Sequence, residues 1–112
     1  MNKEKESVLV LFRDEEAGIL SKTPDGYEFF YDAEYLKTPG ARPISLSLPL
    51  RKEKYASKNL FPFFNGLLPE GWLLEIESRA AKIDPEDKFR MLLHTGADPV
   101  GAVSVAPLKE AK

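Results

Sequence analysis

Apolar positions follow two regimes along this chain: short runs or period-two alternation in the first half, and spacings of three and four in the second. Val8 to Phe12 is a continuous apolar run flanked by charge. Its length predicts a strand, and Asp14-Glu15-Glu16-Ala17-Gly18 after it reads as a turn. A second strand then starts at Ile19-Leu20. Pro24-Asp25-Gly26 marks the next turn, because proline presets φ and glycine supplies a positive φ. Tyr27 to Tyr31 follows as an aromatic-rich third strand, the hairpin partner of the second. Asp32 stands where it can cap one helical turn through Ala33, Glu34, Tyr35 and Leu36, ended by Pro39-Gly40. Ile44-Ser45-Leu46-Ser47-Leu48 alternates with period two and predicts a half-buried strand stopped by Pro49. A basic loop then runs to about Lys58.

Beyond Lys58 the period changes. Ser57 or Asn59 caps a short helix through Leu60, Phe61, Phe63 and Phe64, with Pro62 in its first turn and Asn65-Gly66 closing it. Pro69 opens a longer helix to about Lys82, whose apolar stripe is read as Leu73, Ile76, Ala80 and Ile83. Asp84-Pro85 starts another helix, with Glu86 and Asp87 at its positive end and Phe89, Leu92 and Leu93 as its buried face. Gly96 stops it, and Val100 to Ala106 alternates again as a closing strand. Strands first, helices next and a strand last predict an α+β fold: a small five-stranded, mostly antiparallel open β-barrel capped by two to three helices. Curling toward closure would remove the strand edges, with the helix pair over one mouth. The chain reads as one domain over 1–112, with an ordered core of about 7–108.

Composition narrows the function classes. The chain has 112 residues, with 16 Lys+Arg against 18 Asp+Glu and a net charge of −2, divided as −4 over residues 1–40 and +2 over 41–112. Non-specific nucleic-acid binding needs clustered cations. The one cluster, Arg51, Lys52, Lys54 and Lys58, reads as a solvated loop. The absence of cysteine excludes disulfides, thiolate metal sites and thiol catalysis. No apolar run reaches the ~18 residues of a membrane span, and the charged start MNKEKE does not resemble a signal peptide. The expected setting is the cytoplasm, with no membrane partner.

No catalytic, cofactor-binding or metal-binding constellation emerges. His94 is the only histidine and stands alone as a potential ligand. Ser45 and Ser47 have no glycine-elbow context. Glu75 and Glu77 lie about 200° apart on a helical wheel. Gly96-Ala97-Asp98-Pro99-Val100-Gly101 leads from a helix into a strand, the reverse of a phosphate loop. The chain is therefore not expected to be an enzyme.

The most informative stretch is Phe61-Pro62-Phe63-Phe64-Asn65-Gly66-Leu67-Leu68-Pro69-Glu70-Gly71-Trp72-Leu73-Leu74, which gathers large apolar groups around two glycines and two prolines. On the stripe above, Trp72 falls at the edge of the core face and Leu74 points outward. Trp72 then reads either as a core-edge residue or as an exposed aromatic anchor of the kind that dominates protein interfaces.

Three segments carry a family resemblance: Ser45-Leu46-Ser47-Leu48-Pro49-Leu50; Phe63-Phe64 with Asn65-Gly66-Leu67-Leu68-Pro69-Glu70-Gly71-Trp72; and Gly96-Ala97-Asp98-Pro99-Val100-Gly101-Ala102-Val103. In order and spacing they resemble the N-terminal subdomain of HipA-type serine/threonine kinases, the toxins of bacterial toxin–antitoxin modules. The resemblance covers most of residues 8–108 and implies a small five-stranded barrel with capping helices. The chain has no ATP-binding lysine motif, no catalytic-loop aspartate and no metal-binding aspartate. It therefore looks like the free-standing HipS antitoxin of three-part HipBST modules, whose HipT kinase lacks this subdomain. That implies a HipT-like kinase toxin as partner, with a HipB-like helix-turn-helix protein in the same complex, and no cofactor. The partner-binding residues so implied are Phe63, Phe64, Leu67, Leu68, Pro69, Glu70, Gly71, Trp72, Leu74 and Asp98. Two alternatives stand beside this: a subdomain excised from a full-length HipA-type kinase, and a small-barrel nucleic-acid-binding module. The second would need aromatic residues interleaved with Lys/Arg, whereas Phe29, Phe30 and Tyr31 neighbour Glu28 and Asp32.

Overall fold

A computed structural model describes residues 6–68, 71–84, 87–95 and 102–107, with residues 6, 71–74, 88, 95 and 107 described by their backbone alone. In chain order the elements are β1 (Glu6–Phe12), β2 (Glu15–Thr23), β3 (Gly26–Tyr31), α1 (Ala33–Lys37), β4 (Tyr55–Ser57), α2 (Pro62–Asn65), α3 (Gly71–Ala81), α4 (Lys88–Thr95) and β5 (Val103–Pro107). The five strands form one antiparallel sheet in the order β4-β3-β2-β1-β5, so the fold is α+β as expected. The sheet stays open, with β4 and β5 as its edges. Edge β4 is three residues long and lies among Lys52, Lys54 and Lys58, and short charged edges of this kind resist pairing with other chains.

Val8, Val10, Leu20, Phe29, Tyr31, Val103 and Val105 form the inner face of the sheet, and Phe64, Phe89 and Leu92 close over it from the helices. The outer face explains why Val8 to Phe12 reads as a continuous apolar run. Leu9 pairs with Ile19 and with Ala106, and Ile19 pairs with Phe30. That row is half-buried, held by cross-strand side-chain contact.

The first turn is tighter than expected. Phe12 pairs with Glu15, leaving a two-residue loop in which Arg13 (φ 52°) and Asp14 (φ 70°) are both left-handed. This is the hairpin turn whose twist suits the flanking strands. The second strand thus begins at Glu15 rather than Ile19. A bulge between Val10 and Leu11 leaves Ala17 as the extra residue on β2. Its carbonyl accepts the Asp32 N–H at 2.8 Å, while the Asp32 carboxylate caps α1 through Glu34 and Tyr35.

Residues 44–48 do not form a strand. Ser45 and Leu48 instead close a turn (Leu48 N–H to Ser45 O, 3.0 Å), and Ser47 N–H donates to Ser45 Oγ. Ile44 and Leu48 are buried, as alternation predicts, but Leu46 between them is 95% exposed. The fifth strand comes from inside the basic loop, as β4. Its members Tyr27↔Ser57, Glu28↔Ala56 and Phe29↔Tyr55 extend the sheet beyond β3.

Candidate partner-binding surface

The segment that carries the resemblance runs through α2 into α3. Pro62 occupies the first turn of α2, where its missing N–H is not needed. Asn65 and Gly66 bond back to Phe61 O and Pro62 O, and Leu67 and Leu68 continue the winding to Phe64 O and Asn65 O. Gly66 is right-handed (φ −69°), so it carries the turn onward and does not act as a left-handed cap.

Phe64 is fully buried. Its ring centroid lies 5.6 Å from Phe29, 6.3 Å from Phe61 and 5.2 Å from Phe63. The expectation that Phe64 meets a partner is therefore corrected: it anchors α2 to the sheet. Phe63, Leu67 and Leu68 are half-buried and pack against the core from its margin. Pro69, Glu70 and Asp98 lie outside the described residues. Gly71, Trp72 and Leu74 fall within α3, where their backbone is described and their side chains are not.

The phase of α3 differs from the expected stripe. Ile76 is 54% exposed and Ala80 is exposed, while Ser78 is 3% exposed and Ala81 is half-buried. At about 100° per residue, the buried face centres near Ser78 and Ala81, on the opposite side from Ile76. The apolar letters at 76 and 80 misled because a serine lies inward: Ser78 donates its hydroxyl to Glu75 O at 2.9 Å and so is buried with its polarity satisfied. On this phase Glu75, Ile76 and Arg79 share the exposed face, and Ser78 and Ala81 lie on the inner one. Lys82 (φ 60°) ends the helix in a left-handed cap, with Ile83 N–H bonded to Ser78 O and Lys82 N–H to Arg79 O. His94 of α4 lies 3.7 Å from Glu77 of α3, both about 40% exposed, which places it as a surface bridge between helices. A groove of about 560 Å³, lined by Ser7, Ile83, Phe89, Leu93 and His94 among others, opens beside this pair. No group of three metal-ligating side chains converges among the described residues.

A second surface was missed by the sequence reading. Three tyrosine hydroxyls hold the segment between α1 and β4. Tyr31 donates to Leu48 O and accepts from Ile44 N–H at 3.1 Å. Tyr35 donates to Arg42 O at 2.6 Å and accepts from Arg42 N–H, and Tyr55 donates to Pro49 O. The backbone groups that a strand would have paired with a neighbouring strand are satisfied by side chains instead. The only cue in the sequence was the supply of tyrosines on the neighbouring strand and helix.

Burial pushes the Tyr31 hydroxyl up to about 12, against the Ile44 N–H bond, which lowers it. A folded-state value above the unfolded ~10 means that stability from this group is complete below pH 10 and drains away as pH rises toward 12. Tyr31→Phe is expected to cost about 1–3 kcal/mol at neutral pH, because it strands a buried carbonyl and N–H. The gap to wild type should narrow between pH 10 and 12 in urea melts. A gap constant with pH would mean the hydroxyl is not buried.

The comparisons follow the same outline. The profile of the HipA N-terminal domain family matches residues 8–106. An uncharacterised protein of Haemophilus influenzae is 37% identical over 93 residues, spanning 83% of this chain and 84% of that protein. The putative kinase Y4mE of Sinorhizobium fredii is 34% identical over 79 residues, spanning 70% of this chain but 19% of its own length. Among solved structures, the N-terminal domain of HipA toxin superposes with a TM-score of 0.74 at 32% identity, covering 99% of this chain and all of that one. With its matched span, open sheet and helical cap in agreement, the chain belongs to the HipA N-terminal domain family.

Proposed function

We propose that this protein is an antitoxin of the HipS kind, which binds a HipT-type serine/threonine kinase and holds it inactive, with a HipB-like helix-turn-helix protein in the same complex. The observation that carries the reading is the way this domain occurs in its relatives. It makes up most of the Haemophilus protein and about a fifth of the putative kinase. A surface that is an internal contact in the longer chain becomes an intermolecular one when the domain stands apart. The exposed face of α3 supports a docking role for this helix, since Ile76 on it is 54% exposed. No helix among the described residues is long and apolar enough to cross a membrane. The protein acts by binding, in the cytoplasm, without catalysis of its own. The putative kinase favours a second reading, in which the same surface is a fixed contact inside one long HipA-type kinase.

Trp72→Ala tests the proposal. Inhibition of the cognate kinase should weaken about thirtyfold, the ~2 kcal/mol of an interface anchor, while the melting temperature of the free protein moves by only a few degrees. Equal inhibition by mutant and wild type would place the inhibitory contact elsewhere, and no inhibition by the wild-type chain would favour the single-chain kinase.

A further inference from the structure

Charge is segregated more sharply along the chain than its two halves show. The segment 37–58 carries Lys37, Arg42, Arg51, Lys52, Lys54 and Lys58 against a single acid, Glu53, a net charge of +5 in a chain of net −2. This is the segment pegged by Tyr31, Tyr35 and Tyr55, and Leu46 stands at the tip of its Ser45–Leu48 turn, 95% exposed. One exposed leucine on a surface needs no explanation by itself. This one differs in how it is held. The hydroxyls of Ser45 and Ser47, its two chain neighbours, bond each other at 2.9 Å, and Ile44 and Leu48 at the next positions outward are buried. The apolar tip is therefore presented in one fixed conformation, which lowers the ordering cost of binding.

We propose that the Ser45–Leu48 turn is a second docking element, on which Leu46 enters an apolar socket of the kinase whose rim is acidic. The inference rests on the reading of the partner as a HipT-type kinase and adds to it a contact separate from α3. Charge complementarity selects the occupant. A second copy of this chain would bring two strongly basic segments together. A nucleic acid would use the cations but leave Leu46 idle, and it would need free aromatic faces to stack its bases. The tyrosine faces here are taken: Tyr31 and Tyr35 are buried, and the Arg51 guanidinium covers the Tyr55 ring at 3.7 Å.

Binding of the full-length chain to its cognate kinase, measured by titration at about 50 and 300 mM salt, tests this directly. Leu46→Ser should raise Kd at least tenfold with an unchanged melting temperature, and Leu46→Met should retain wild-type binding. Lys52→Glu should slow association and flatten its salt dependence. If Leu46→Ser binds within twofold of wild type while Trp72→Ala binds weakly, the second docking element is overturned and the kinase reading stands. If the wild-type chain does not bind the kinase, both fall. Self-association of the wild type that Leu46→Ser abolishes would give the socket to a second copy and overturn the assignment. Tight binding of a single-stranded oligonucleotide that only Lys52→Glu weakens would likewise overturn it.

Discussion

Phe64→Ala should destabilise the free protein by about 3–5 kcal/mol, the cost of emptying an aromatic site in a packed core. The side chain is fully buried and its ring meets those of Phe29, Phe61 and Phe63 at centroid distances of 5.2 to 6.3 Å. Those contacts join α2 to the third strand, so the loss is not confined to one helical turn. A small domain has about 5–15 kcal/mol of stability in total, and each kcal/mol moves its melting temperature by about 4–8 °C. A fall of more than about 10 °C in a thermal melt is therefore the expected reading. Phe64 also belongs to the segment whose neighbours are proposed to dock on a kinase, which gives the mutant a second use. Any loss of inhibition should track the unfolded fraction and disappear where the mutant is still folded, for example at lower temperature. An unchanged melt combined with lost inhibition would make Phe64 a partner contact after all and would contradict its burial.

Several elements were legible because local chemistry and tertiary packing agree there. Asp32 caps α1 as its position before Ala33-Glu34-Tyr35 predicts, and Pro62 sits where a helix tolerates proline. The strands at Val8–Phe12 and Tyr27–Tyr31 were found because both are short and rich in β-formers. Two of the failures share a physical cause: a side chain satisfied backbone or polarity that pattern reading assigns to secondary structure. Tyrosine hydroxyls replaced the strand partner of residues 44–48, and a self-satisfied Ser78 inverted the apparent apolar face of α3. β4 escaped notice because three residues amid lysines carry almost no periodic signal. Phe64 looked available to a partner because it lies in an apolar loop, and Leu46 looked like a core residue because it shares the period-two spacing of Ile44 and Leu48.

Gly18→Val is expected to be at least as damaging, through overpacking rather than a void. Gly18 lies inside β2 between Val10 and Tyr31, and its role is space rather than a turn. A Cβ there would overlap the Phe30 carbonyl oxygen and touch the Phe29 ring at 3.0 Å. The obstruction is backbone of a paired strand, which cannot rotate aside as a flexible side chain can. A branched side chain must therefore push β3 away from β2 at the point where Phe29 and Tyr31 enter the core, at a cost of about 3 kcal/mol or more. Because Tyr31 holds both Ile44 and Leu48, the displacement passes to the turn that carries Leu46. Gly18→Ala gives the graded test: it should lose less stability than valine yet still well over 1 kcal/mol in urea melts. On the proposed docking role of this turn, kinase binding by the folded remainder should fall in the same order, as the turn loses its tyrosine peg. Alanine tolerated within about 0.5 kcal/mol, the range of an ordinary surface change, would show that β3 yields freely here. The rigid presentation of Leu46 would then need another source than the sheet beneath it.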